Sequence, residues 1–155
     1  MKIKLFFRML MCAVALFSFA SCSNDDDNEF IIDPESTMFV GDFIVDQNDG
    51  TTFTDKDVKV SISFDLMSDK AIMIFHQAKF SPDMPVRLDM VLNGVGYSAS
   101  TSEIRISGNK IIPVAMGGEF DEYIINGLVG RISPSEIMFS MTCGDFPVSY
   151  VGKIQ

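Results

Sequence analysis

The sequence predicts an all-β fold, an antiparallel meander of about eight strands that closes into a small barrel, with a two-sheet sandwich as the alternative. Three observations carry that expectation. Beyond residue 36 the apolar residues recur with period two rather than 3.6. Turn chemistry interrupts the apolar runs at short intervals, and no stretch of that region carries a helical stripe.

Taken in order, the chain begins with a different kind of element. Lys2, Lys4 and Arg8 precede an apolar run from Met9 to Phe19, then Ala20, Ser21 and Cys22. A basic start, an apolar segment too short for a permanent span and a small-residue approach to cysteine are the pattern of a lipoprotein signal peptide. Residues 1–21 are therefore expected to be removed and Cys22 to carry the lipid, each buried methylene adding about 0.8 kcal/mol of membrane affinity. An ordinary secretory signal or a single anchoring helix is the alternative. Ser23, Asn24, Asp25, Asp26 and Asp27 follow, and here the chain resembles lipoproteins of Bacteroidetes-type bacteria. In those proteins such an acidic run is an export signal, so the resemblance implies an outer-membrane lipoprotein facing the cell exterior. The same composition also suits a solvated spacer, and residues 22–36 are read as a lipidated acidic tether.

Residues 37–155 then form one domain, long enough to bury a core without disulfides. Loss of Lys2, Lys4 and Arg8 leaves nine basic residues against 21 acidic ones. That balance argues against nucleic acid and anionic membrane surfaces as ligands, since both are polyanions. Cys12 falls in the signal and Cys22 takes the lipid, so Cys143 stands alone in the domain, as a buried small hydrophobe or, less simply, a reactive thiol.

The first strand is expected over 37–46. The clearest alternation is Val58, Val60, Ile62, Phe64 and Leu66 against Lys59, Ser61, Ser63 and Asp65, a half-buried antiparallel strand. The next is expected over 70–77, and a further alternation runs through Met84, Val86, Leu88, Met90 and Leu92. Ile104 and Ile106 mark a short strand, and others are expected over 110–116, 122–132, 135–143 and 147–154. Gln47 to Gly50, Met67 to Lys70, Ser81 to Asp83, Asn93-Gly94, Ser107 to Lys110, Gly117-Gly118 and Cys143 to Asp145 read as the turns. Closure removes edge strands, and about eight strands enclose room for side chains or one small ligand.

Gly41-Asp42-Phe43, Met84-Pro85-Val86, the run Tyr123 to Gly130 and Val148-Ser149-Tyr150-Val151-Gly152 resemble the calycin-like, lipocalin-related lipoprotein domains of Bacteroidetes. The resemblance spans nearly all of 37–154 and implies a barrel with a role in binding. Lipocalins place a tryptophan in the first strand as a barrel-end plug beneath a basic residue. The chain has no Trp, so the resemblance puts Phe43 in that place, with Arg131 or Lys153 as covers.

Catalytic chemistry finds little support. His76 is the single histidine, no Gly-x-Ser-x-Gly is present and no His/Cys set has metal-ligand spacing. No cofactor motif is found, since the Gly-rich pieces lack the Lys and strand-to-helix setting of a phosphate loop. Glu119, Asp121 and Glu122 read as a solvated loop, as do Asp46, Asn48 and Asp49, the first place to look if calcium were bound. Eight methionines in the domain suit either an irregular solid core or an adaptable cavity lined by Ile62, Phe64, Met84, Met90 and Phe139. Two roles follow. One is a barrel holding a small apolar or amphipathic molecule, and the other is a filled barrel whose exterior docks a surface protein or polymer.

Overall fold

The structure, a computed structural model, describes residues 36–155, so Cys22 and the Ser23 to Asp27 run lie outside the described residues. Ten strands occur: β1 Thr37–Asp46, β2 Thr52–Asp65, β3 Lys70–Ala78, β4 Leu88–Ala99, β5 Ile104–Gly108, β6 Val114–Ala115, β7 Gly118–Glu119, β8 Ile125–Ile132, β9 Glu136–Cys143 and β10 Phe146–Ile154. A single 3-10 turn, Asp121–Tyr123, precedes β8. All pairings are antiparallel, in the order β3-β2-β1-β10-β9-β8-β5-β4, and β3 also pairs with β4. The sheet therefore closes on itself as an eight-stranded barrel, and the sandwich alternative is set aside. β6 and β7 form a small hairpin attached to β4 through Val91 and Val114.

Strand directions give the barrel two unlike ends. The terminal end carries Ser36 and Gln155 together with the turns at 66–69, 100–103 and 133–135. The far end carries the loops at 47–51, 79–87, 109–124 and 144–145.

Alternation builds the inner face as expected: Val58, Val60, Ile62 and Phe64 of β2 are buried. Three sequence expectations need correction. Leu66 is not in the core but 59% exposed at the β2–β3 turn, and Val86 is 51% exposed because residues 84–87 belong to a loop rather than to β4. Asn93-Gly94, expected as a hairpin turn, instead lies inside β4, where Gly94 adopts φ 78° and the register with β3 slips. Only a glycine takes that conformation without strain. The slip is a β-bulge, and others fall at Asp57 in β2, Gln77 in β3 and Gly127 in β8. Bulges sharpen twist and bend, which is what rolling a short sheet into a closed cylinder demands.

Close packing of backbone against ring sets one further corner. Gly41 and Gly152 face each other across β1 and β10, and a Cβ on Gly152 would lie 2.5 Å from the Tyr150 Oη. The Tyr150 ring occupies the space the glycine leaves, and its hydroxyl donates to the Val58 carbonyl at 2.9 Å. Burial, helped by the nearby Asp42 carboxylate, pushes the phenol well above its ordinary range.

Candidate functional site

Two places could serve a ligand, the lumen and the outer wall. The lumen is built on Phe43, which is fully buried at the middle of an aromatic cluster. Its ring centroid lies 5.2 Å from Phe75, 5.6 Å from Phe80, 6.1 Å from Phe139 and 5.0 Å from Tyr150. Phe139 also stacks on Tyr150 at 5.0 Å and on Phe75 at 5.8 Å. These separations are those of rings in direct contact, so aromatic carbon fills the middle of the barrel.

The residues expected to line a cavity all join this core, at different levels. Ile62, Met90 and Phe139 are buried, with Ile62 opposite Thr37 toward the terminal end. Phe64 sits near the terminal end, 4.9 Å from the Tyr97 ring. Met84 lies in the 79–87 loop at the far end, its sulfur accepting the Phe80 amide at 3.0 Å. Phe43 does sit under a cover, but the cover is Phe80. Arg131 and Lys153 are both exposed, and Arg131 lies on the outer face of β8 with its Nε directed at Met138.

The Phe80 plug is held by contacts the sequence did not advertise. Asp55 is only 2% exposed and accepts three bonds: from Lys79 N at 2.9 Å and from the two Arg87 Nη groups at 3.0 and 2.7 Å. Gln47 Nε2 donates to the Phe80 carbonyl at 3.1 Å, and Arg87 also donates to Gln77 O at 2.7 Å. A bidentate guanidinium on a carboxylate is strong and directional, so the loop is clamped to β2. Above Phe80 the rings continue through Tyr123, 5.8 Å away, to Phe120.

The outer wall is different. Three adjoining concavities of about 540, 400 and 370 Å³ share Ser149 and run across β5, β8, β9, β10 and β1. The register lays residues across these strands in straight rows. One row reads Arg105, Arg131, Met138, Val151, Asp42, and the next reads Ser107, Val129, Ser140, Ser149, Ile44. Ile44 is 49% exposed, Val151 54% and Val129 57%. The serines between them keep the wall low, which makes the surface a shallow apolar groove with a basic end.

The remaining sequence candidates are held by their own surroundings. His76 Nε2 lies 2.8 Å from Ser61 Oγ on the outside of β2 and β3, and Ser61 is 4% exposed. Asp46 accepts the Asn48 amide at 2.8 Å, and Asp49 accepts both Thr51 N at 2.8 Å and Thr51 Oγ1 at 2.6 Å. Those bonds hold the Asp49 carboxyl below its ordinary range and fasten the turn. Among the described residues no three His, Cys, Asp or Glu side chains converge as a metal-ligand set. Cys143 is buried beneath Tyr123, and burial pushes its thiol up.

Fold and surface define a small closed antiparallel β-barrel, consistent with the calycin-like architecture, with a filled centre and an apolar groove on its wall. No family model matches the chain, and comparison with curated proteins and with solved structures gave no match either.

Proposed function

We propose that this protein is a lipid-anchored binding module of the bacterial outer membrane, facing the cell exterior, which docks a partner on the outer wall of its barrel and performs no catalysis. The anchor on Cys22 and the export role of Ser23 to Asp27 rest on the sequence pattern. The choice of the wall rests on one contrast. Phe43 and its neighbouring rings occupy the middle of the lumen, whereas Ile44, Val129 and Val151 stand about half exposed on adjoining rows outside. Soluble proteins leave such patches open chiefly where something binds.

The competing reading is a lumen guest, a small apolar or amphipathic molecule among Ile62, Phe64, Met84, Met90 and Phe139. It requires the 79–87 loop to leave its clamp on Asp55 and Phe80 to withdraw. Native mass spectrometry of the mature chain carrying Cys22→Ser, purified without detergent after exposure to an envelope extract of its own kind of cell, separates the two. A partner retained by the wild type and lost on Val151→Asp supports wall docking. A small apolar compound retained equally by wild type and Val151→Asp, and lost on Met90→Gln, contradicts it.

A further inference from the structure

The wall groove is not uniformly apolar, and its charges say what kind of partner it fits. Arg105 and Arg131 are directly opposite on β5 and β8. Like charges at paired positions of antiparallel strands repel, and this protein has only three arginines beyond Cys22. The third, Arg87, is engaged by Asp55. Arg105 meets Glu103 at 2.8 Å, which offsets one positive charge. Arg131 has no carboxylate partner among the described residues, and its Nε points at the Met138 sulfur at 3.1 Å, a weak acceptor. Among the described residues the basic end therefore carries one uncompensated positive charge beside Val129, Met138 and Val151.

Shape narrows the occupant further. Sites for small molecules bury roughly 70–90% of the ligand, and a wall whose apolar side chains are themselves half exposed cannot enclose one. From β8 to β1 the groove crosses three strand spacings, about 14 Å in all. A polypeptide segment of about four or five extended residues spans that distance and brings its own backbone to cover the serine hydroxyls.

We infer that the groove docks an extended acidic peptide segment of a partner protein, with one carboxylate on the Arg131 guanidinium and aliphatic or aromatic side chains along Val129, Met138 and Val151 toward Ile44. This rests on the wall-docking reading and adds the partner's chemistry. At the opposite end of the row Asp42 and Lys153 line one concavity with opposite charges, so Arg131, which has no such counter-charge among the described residues, is where the carboxylate seats.

The test is panning of a random-heptapeptide display library on the mature chain carrying Cys22→Ser, followed by amide-shift mapping of the enriched peptides. The expected result is enrichment of sequences with Asp or Glu next to Ile, Leu, Val or Phe, with saturable shifts at Arg131, Met138 and Val151. Arg131→Gln should weaken those peptides at least tenfold while leaving the melting temperature unchanged or raised, because it removes a like-charge neighbour. Arg131→Lys should retain part of the affinity. Neutral or basic peptides mapping to the same wall would overturn the acidic-partner inference and leave wall docking standing. Acidic peptides that bind Arg131→Gln equally well would also overturn it. Peptides that bind only when residues 23–35 are deleted would make the chain's own acidic segment the occupant and overturn the partner. Absence of any wall-directed peptide would overturn both.

Discussion

Replacing Phe43 with alanine tests whether the lumen is as full as the ring geometry indicates. Phe43 is fully buried and lies within 6.1 Å, centroid to centroid, of four other rings. Deleting a buried phenyl group costs about 3–5 kcal/mol through lost transfer energy and the cavity left behind. The upper part of that range applies here, because Phe75, Phe139 and Tyr150 are braced against one another and cannot all collapse inward. A domain of this size has a total stability of about 5–15 kcal/mol, so the variant should lose roughly a third or more of it, with a melting temperature lowered by roughly 10–20 °C. Urea unfolding followed by tyrosine fluorescence and far-UV circular dichroism gives the free energy. The new void is apolar and closed, so it should stay dry and accept benzene, raising the variant's stability in saturated benzene while leaving the wild type unaffected. A loss below about 1 kcal/mol, or benzene stabilisation of the wild type as large as that of the variant, would refute a packed lumen.

Other outcomes follow from the same contacts. Asp55→Ala removes a buried acceptor from Lys79 and Arg87 and should cost about 2–4 kcal/mol by urea unfolding, with faster hydrogen exchange at Lys79 and Phe80 than in β9 or β10. Arg87→Ala should do less, since that side chain is 45% exposed and water can replace it around the loop. Tyr150→Phe removes the buried hydrogen bond to the Val58 carbonyl and should cost about 1 kcal/mol. Asp49, Asp65 and Asp89 are held below the usual carboxylate value of 3.8 by hydrogen bonds from Thr51, from Ser68 and Met67, and from Gln77. Depressed folded-state values give stability that is present above the unfolded value and lost as pH falls through the folded ones, so the urea midpoint should be flat near neutrality and fall below about pH 4. The Cys143 thiol, raised by burial, should resist a thiol reagent at pH 8 until the protein is unfolded in denaturant, and fast reaction of the native form would contradict its place under Tyr123.

The strands were legible because each inner face must be apolar at every second residue, and β1, β3, β9 and β10 fall where that alternation puts them. Where the backbone leaves the regular pleat the pattern loses its meaning. Asn93-Gly94 reads as a turn from composition alone, since a bulge and a hairpin turn call for the same positive-φ residue. The start of β2 was invisible because Thr52 to Asp57 holds a single apolar residue, the partly buried Phe53, and its one fully buried member is an aspartate. Asp55 is buried only because Arg87, distant in sequence, comes back to meet it. Phe80 gave no sign of being a plug, because an aromatic residue before Ser-Pro carries no periodicity. The wall groove depends on register: Arg105 and Arg131 become neighbours only when β5 pairs with β8, and no spacing within one strand shows that.

Methyl-resolved NMR titration of the mature Cys22→Ser chain with a native partner peptide, or with a fractionated extract of its own envelope, bears most directly on where this barrel binds. Wall docking requires saturable shifts at the Ile44, Val129, Met138 and Val151 methyls, with Ile62 and Met90 unmoved. Shifts led by Ile62, Met90 and Met84, accompanied by rapid exchange at Phe80, would mean that the plug opens and the lumen is the site.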